Sequence, residues 1–473
     1  MPGVACWQLR VVGLVIAGAA LGCAQARAET LEFALAQAYN NNPQLNSQRA
    51  LVRATDENVP TALAGYRPRA SITASVGTQA LATTIREIGS QTVPGSAASY
   101  FRQIGGSTPH GVGATVTQSL LNGNQTANRT RQAESQVFGA RETLRNIEQT
   151  VLLAAATAYL NLLRDGAILE LQRSNVEVLQ EQLRQSRQRL EQGNVTATDV
   201  SQSESRLAVG KTQLFAAEAT YETSKAVYRQ VIGIEPGKLV PASPVDRFTP
   251  RTLAAAVTAG TANNPTVTTA QFNVDAALLQ VKIAEGALYP TVQLQGSIQR
   301  NYEISLTQLQ SYNASIIGQF SMPVYQGGAE YAAIRQAKET HGQRQLDLNV
   351  ARDQARVTVI QAWAQLDAAK SSIESSKNQV KSAEAALNGV REEARLGQRT
   401  TLDVLNAQQE LVAARIALVA AQRDRLVNSY TLLAAIGGLS PQALGLRVAT
   451  YDPAVHYHQV RDAWTGVRTP DGR

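Results

Sequence analysis

The sequence predicts a mainly α-helical protein with a β-barrel portion: an internally duplicated coiled-coil α-barrel joined to four membrane-spanning strands per chain. Three observations carry this. The chain is written twice, two long stretches without proline run under a heptad seam, and four short segments alternate strictly between apolar and polar residues.

The duplication comes first because a fixed period governs every later assignment. Thr30-Leu31 opens a stretch ending Asn41-Asn42-Pro43, and Thr252-Leu253 opens one ending Asn263-Asn264-Pro265, an offset of 222 residues. Pro68 and Ser75 match Pro290 and Ser297 at the same offset. The offset then falls to 204: Leu120–Gly123 matches Val324–Gly327, Gly193 matches Gly397, Asp199-Val200 matches Asp403-Val404, and Ile232-Gly233 matches Ile436-Gly437. The first copy therefore carries 18 extra residues between Ser75 and Leu120, in a stretch rich in glycine, proline and serine, which reads as an exposed loop. The expected organisation is a leader over 1–28, a first repeat over 29–240, a second over 241–440 and a flexible periplasmic tail over 441–473.

Each copy reads as a helix, the Asn-Asn-Pro break, a second helix to about Gly65 or Gly286, two strands, a very long helix, a glycine turn and a shorter helix. Ala133, Val137, Ala140, Leu144, Ile147, Val151, Ala154 and Ala158 recur at alternating spacings of four and three, followed by Leu162, Leu169, Val176, Leu183 and Leu190 at intervals of seven. The second copy keeps the register with Leu348, Ala355, Ala362, Leu366, Ile373, Val380 and Leu387, while His341 stands where Val137 stands in the first. Such a seam demands a partner along its whole length. A helix of about 67 residues spans ~100 Å, and the two shorter helices of each copy, end to end, reach about as far. The strands Ala70–Val76, Val112–Val116, Val292–Gln299 and Ser315–Val324 alternate with period two, which gives one apolar and one polar face. Lipid outside and water inside would produce that pattern, as would one sheet of a soluble sandwich.

Composition agrees. Aromatic residues are only 5% of 473 while hydrophobic residues reach 44%, as in long helices packed side by side rather than a globular core. The net charge of +7 is spread singly along helical stretches, which excludes a nucleic-acid surface. Residues 1–28 have Arg10 before the apolar run Val11–Gly22 and the cleavage-type Ala26-Arg27-Ala28, so the mature chain is expected to begin at Glu29. A lipoprotein reading, with Cys23 acylated, competes, although Ala20-Leu21-Gly22 is a poor lipobox. Both cysteines lie in this leader, so thiol chemistry and disulfides are not expected in the mature chain. No other uninterrupted apolar run approaches a helical membrane span, leaving a barrel as the means of crossing. Four strands cannot close a barrel alone, so several chains are expected to share one, continued by a helical tube.

No phosphate loop, nucleophile elbow or metal-ligand spacing appears, apart from His456-x-His458, at most half a metal site in the tail. No enzyme activity, cofactor or metal is expected. The alternative reading, a periplasmic coiled-coil adaptor or structural protein, accounts less well for two hairpins and four alternating strands in duplicate.

Over residues 29–440 the chain resembles the TolC-type outer-membrane efflux and secretion channels. The resemblance rests on Thr30–Leu35 with Asn41-Asn42-Pro43, on Val324-Tyr325-Gln326-Gly327-Gly328, and on Arg395-Leu396-Gly397-Gln398-Arg399-Thr400-Thr401-Leu402-Asp403-Val404-Leu405. It implies a homotrimer of twelve strands and twelve wall helices in the outer membrane, reaching into the periplasm. It further implies an exit duct for type I protein secretion or multidrug efflux, served by a periplasmic adaptor and an inner-membrane ABC or RND pump. Gly123, Gly327 and Gly328 would be strand-to-helix junctions. The turns with Leu190, Gly193, Leu396 and Gly397 would form the periplasmic tip and dock the adaptor. The resemblance places a gate arginine at Arg399, its partner acid at Asp199 and a ring acid at Asp403. The second ring position falls on Asn406 and the family's aromatic gate position on Ala394, so a single acidic ring is expected. Read without the resemblance, Thr196-x-x-Asp199 and Thr400-x-x-Asp403 are plain helix capping boxes.

Overall fold

The computed structural model describes residues 29–87, 99–193, 195–304, 308–470 and 472. The expected leader with Cys6 and Cys23, and the centre of the first outer loop, lie outside the described residues.

The repeat is visible element by element. The first copy comprises α1 (Leu31–Asn41), α2 (Pro43–Asp56), α3 (Asn58–Leu63), β1 (Arg69–Val76), β2 (Gln79–Glu87), β3 (Ser99–Ser107), β4 (His110–Asn122), α4 (Gln125–Glu191) and α5 (Ala197–Ile232). The second comprises α6 (Leu253–Asn263), α7 (Pro265–Gly286), β5 (Thr291–Tyr302), β6 (Gln310–Ser321), α8 (Ala329–Arg395) and α9 (Thr401–Ala435), and α10 (Pro453–Val460) follows. Both long helices have 67 residues, so each spans ~100 Å.

The Asn-Asn-Pro signature has a physical explanation. The Asn42 side chain accepts from the backbone of Gln44 and Leu45 to start α2, while its amide donates to Val231 O at the end of α5 (3.1 Å). Asn264 repeats both roles, accepting from Thr266 N and donating to Ala435 O of α9 (3.3 Å). Proline follows each cap at the first helical position, where its missing N–H costs nothing. The Ile-Gly pair closing each copy completes the joint. Gly437 sits at φ +76°, and a Cβ there would lie 2.3 Å from Asn263 O. Glycine is thus required both by conformation and by close approach.

The four-stranded sheet is antiparallel in the order β1-β4-β5-β6. Its two hairpins share one register: Ser75 faces Gly111 as Ser297 faces Ser315, and Arg69 faces Thr117 as Thr291 faces Ser321. Ile72, Val76, Val112, Val116, Leu294, Ile298, Ile316 and Phe320 lie on one face, and Ile72 and Ile316 are each 82% exposed. The other face carries Ser71, Thr73, Thr115, Gln295, Ser297 and Ser315, with a 2.9 Å hydrogen bond between the last two hydroxyls. A β-bulge at Leu120 sets Leu121 opposite Val292, keeping it on the apolar face. The sheet ends at β1 and β6, each hydrogen-bonded on one side only among the described residues. The stretch between Ser75 and Leu120 is not simply a loop: it includes a second antiparallel hairpin, β2–β3, which has no counterpart among the described residues of the second copy.

The shorter helices lie along the long ones as expected: α2, α3 and α5 pack on α4, and α7 and α9 on α8, while α7 also packs on α4. The helix expected from Pro43 to Gly65 is divided into α2 and α3, with Pro60 supplying no amide to the ladder. The seam of α4 is buried at most positions from Ala133 to Leu183, but Ala140 and Ile147 are half-buried and Ala154 is exposed, the stripe passing there through Leu152, Ala155 and Tyr159. His341 is half-buried. The main core lies at mid-length, where Leu35, Tyr39, Leu152, Tyr159, Tyr228, Ile232, Val359, Leu432, Leu433 and Leu439 meet. Helix α4 packs on several sides, and an 18-residue stretch of it has the length and hydropathy of a membrane span although no unbroken apolar run marks it in the sequence; half of that stretch is buried within the protein.

The tail beyond 440 is not free of the body. Leu446 joins the core, and α10 packs along α2, with His456 Nδ1 3.0 Å from the fully buried Asp56 carboxylate. Burial raises the Asp56 pKa, and the histidine hydrogen bond opposes that rise. His456 therefore has a structural partner, and among the described residues no cluster suited to a metal forms around it.

Candidate functional site at the helical tip

Two turns close the far ends of the helical hairpins. Gly193 (φ +74°) and Gly397 (φ +78°) take the left-handed conformation, and a Cβ on either would meet nothing within 4 Å. Their glycine requirement is thus conformational. Gly193 N donates to Leu190 O (2.9 Å) and Gly397 N to Ala394 O (3.1 Å), while Gln398 N reaches back to Glu393 O (2.9 Å). Leu190 and Leu396 are both exposed there, Leu396 to 69%.

Each following helix begins with a reciprocal capping box. Thr196 N donates to Asp199 Oδ2 (2.9 Å), and Asp199 N donates to the Thr196 hydroxyl (3.3 Å). Thr400 and Asp403 repeat this at 3.0 and 3.2 Å. The Thr400 amide and hydroxyl hold the Asp403 carboxyl below the usual carboxylate range, with Arg399 a smaller contribution.

Within one chain Arg399 is not brought to Asp199. Its Nε donates to Glu393 Oε2 at 2.9 Å across the α8–α9 turn, and that carboxylate raises the guanidinium pKa. Asn406 is brought to a residue the sequence reading missed: Arg206 of α5 donates to Asn406 Oδ1 (2.7 Å) and Gln409 Oε1 (2.6 Å) of α9. This fork ties the first hairpin to the second. A signal was present, since the 204-residue offset aligns Arg206 with Glu410, an inversion of charge between the copies. Other contacts stay within one hairpin: Arg187–Glu204 at 2.6 Å, Arg391 to Gln408 at 3.0 Å and Arg415–Glu384 at 2.7 Å.

At the opposite ends of the long helices stand the junction glycines. Gly123 (φ +60°) packs against the end of α7, where a Cβ would fall 2.2 Å from Gly286 O. Gly327 (φ +72°) and Gly328 (φ +85°) have open space around them, and their backbone conformation alone favours glycine.

Comparison with known proteins follows this architecture. The family model for outer membrane efflux proteins matches residues 34–233 and 259–438, one match per repeat. Outer membrane efflux protein BepC of Brucella suis is 40% identical over 471 residues, covering 99% of this chain and 98% of its own. Alkaline protease secretion protein AprF of Pseudomonas aeruginosa is 28% identical over 335 residues, 68% of this chain and 69% of its own. Among solved structures, the Campylobacter jejuni CmeC outer membrane channel superimposes with a TM-score of 0.72 at 14% identity, covering 91% of this chain and 89% of that one, a likeness of fold. These findings set aside the adaptor alternative. The chain belongs to the outer membrane efflux protein family, with the TolC-like fold of an outer-membrane channel extending into the periplasm.

Proposed function

We propose that three copies of this chain form one continuous duct across the outer membrane and periplasm, serving as the exit of an export machine. The carrying observation is that sheet and helical wall are open at the same two edges. The strands run β1-β4-β5-β6, and the wall helices beside them run α2/α3, α4, α7, α8 in the same order. An open sheet edge with an apolar face is not stable in lipid, so a single kind of contact between copies must close both layers. The free side of α8 is prepared for this: Leu346, Val350, Val357 and Ile360 are all exposed and lie roughly half a turn around the helix from the seam facing α7. Three copies would give twelve strands.

At the tip, assembly offers Arg399 a choice between Glu393 of its own chain and Asp199 of a neighbour, and it sets three Asp403 carboxylates around one axis. Such a ring would attract cations. Exposed Leu190 and Leu396, beside turns with open space, suit docking by the hairpin tips of a periplasmic adaptor that recruits an inner-membrane ABC or RND pump. The relatives' names include both efflux and protease secretion, and either cargo suits a passive duct whose pump selects the substrate.

The test is membrane fractionation with a heat-shifted gel. A detergent-resistant trimer in the outer membrane is expected, and a soluble monomer would refute the reading. Epitope tags between Gln79 and His110, or between Asn301 and Tyr312, should be labelled on intact cells; tags at Gly193 or Gly397 should require an opened outer membrane. The reverse pattern would overturn the orientation.

A further inference from the structure

We propose that the C-terminal strap is a membrane-interface anchor, which holds Trp464 in the phospholipid headgroup region at the periplasmic end of the barrel. The inference rests on the barrel reading above.

The strap follows a defined course. Tyr451 N donates to the Tyr39 hydroxyl (3.1 Å), and Arg49 lies over the rings of both tyrosines. Further along, His456 meets Asp56, the Tyr457 hydroxyl donates to Glu134 (3.3 Å), and Arg461 pairs with the same carboxylate (3.4 Å). At the base of the sheet Arg67 donates to Ala463 O (2.6 Å) and lies 4.7 Å from the Trp464 ring centroid. It thus climbs beside α2 and α3 from mid-wall to the base of the sheet. Such a set of contacts is more than a disordered tail needs, and it delivers a tryptophan that is still 68% exposed.

The side of the wall follows from α4. Gln132 and Gly139 face α7, whereas Ala133 and Val137 face Val59 of α3. At 3.6 residues per turn these directions are about 130° apart. In any closed ring of helices the two neighbours subtend less than a straight angle on the inner side. The inner sector therefore holds Arg129 and Gln136, and the wider, outer sector holds Glu134 and Arg141. The strap touches Glu134 and Arg141, so it lies outside the tube.

The level follows from β1. Arg67 stands two residues before the strand begins, and Ala70, the first residue on the apolar face, is ~10 Å further along at the rise of an extended chain. Tyr66, Tyr289 and Tyr325, exposed at the same end of the sheet, share this level. Tryptophan and tyrosine favour the boundary where an apolar ring meets headgroups, and aromatic girdles mark both rims of membrane barrels.

The experiment uses full-length trimer carrying Trp7→Phe and Trp363→Phe, leaving Trp464 as the sole tryptophan, reconstituted into phosphatidylcholine–phosphatidylglycerol bilayers. A positive control carries Ile72→Trp and Trp464→Phe in the same background. With bromine near the headgroup, Trp464 emission should fall about two-fold, and more than with bromine at the chain ends, as expected of an interfacial ring. Full quenching by aqueous iodide with none by brominated lipid, while the Ile72→Trp control is quenched by lipid, would overturn the anchor and leave the barrel standing. A control unquenched by lipid would overturn the barrel and the anchor with it. If the Trp363→Phe chain fails to give a heat-modifiable trimer, an environment-sensitive dye on Trp464→Cys in the otherwise native chain replaces it, with the same two outcomes.

Discussion

Replacing Arg206 by alanine removes the one polar fork seen to join the two hairpins near the tip, and its consequence can be worked from the structure. Arg206 is half-buried and donates to Asn406 and Gln409 at 2.7 and 2.6 Å. Charge-assisted bonds of this length are strong when dry, but solvent at the tip reduces the pair to roughly 1 kcal/mol per chain. If three copies open together, the loss totals ~3 kcal/mol and shifts the closed-to-open ratio roughly 100-fold. Planar-bilayer recordings should therefore show a marked rise in open probability or conductance for Arg206→Ala, with the heat-resistant trimer retained. Asn406→Ala combined with Gln409→Ala should act in the same direction, and adding Arg206→Ala should change little more, because all three remove one interaction. Arg415→Ala is the control: it breaks the pair with Glu384 inside a single hairpin and should leave gating unchanged. Wild-type gating in Arg206→Ala, or full additivity in the triple variant, would refute the fork as a restraint on the tip.

Arg399→Ser and Asp199→Ala should each raise single-channel conductance, with little added in the double variant, if the two residues meet between chains; conductance unchanged in both leaves Arg399 to Glu393 and Asp199 to its cap. Asp403 has a lowered folded pKa, so the stability it contributes is complete above its unfolded pKa and is lost as pH falls through the lowered value. Asp403→Asn should flatten the acid limb of a melting-temperature profile and, separately, lower cation selectivity; an unaltered reversal potential would confine Asp403 to capping. Gly123→Ala should destabilise more than Gly327→Ala in thermal melts: both bear the left-handed penalty of about 1–2 kcal/mol, but only the first forces a Cβ against Gly286 O. Gly397→Trp, facing open space, should abolish export while trimers persist, and unchanged export would remove that turn from the docking surface.

What the sequence made legible was whatever repeats. The Asn-Asn-Pro joints, the capping boxes at Thr196 and Thr400, the glycine turns and the common strand register each occur twice at a fixed offset, and each reflects a local rule of capping or alternation. The features missed are those that occur once. The β2–β3 hairpin lies in a stretch whose glycine and serine content reads as loop, because hairpin pairing depends on a partner strand rather than on local composition. The tail looked unattached because its contacts reach back some 400 positions in sequence, as from His456 to Asp56. Arg206 carried no local motif, and its partners lie about 200 residues away.

The two copies are most informative where they disagree. At the 204-residue offset, exposed Leu346 and Val350 of α8 correspond to Glu142 and Asn146 of α4. The two helices share length, seam and register, so helix formation cannot account for the difference. Helix α4 already has neighbours on both sides, α2 and α3 on one and α7 on the other. Helix α8 has α7 on one side, and among the described residues its apolar outer stripe beside the sheet end has no comparable neighbour. The end of the stripe nearer the sheet is apolar only on the copy with a free edge, as a wall closed by identical chains requires, while Val357 and Ile360 match Leu153 and Ala156, apolar in both copies. The sheet makes the same demand at β6, the strand that leads into α8. If one contact between copies closes both layers, a substitution on this stripe should be felt in the barrel as well as in the helical wall.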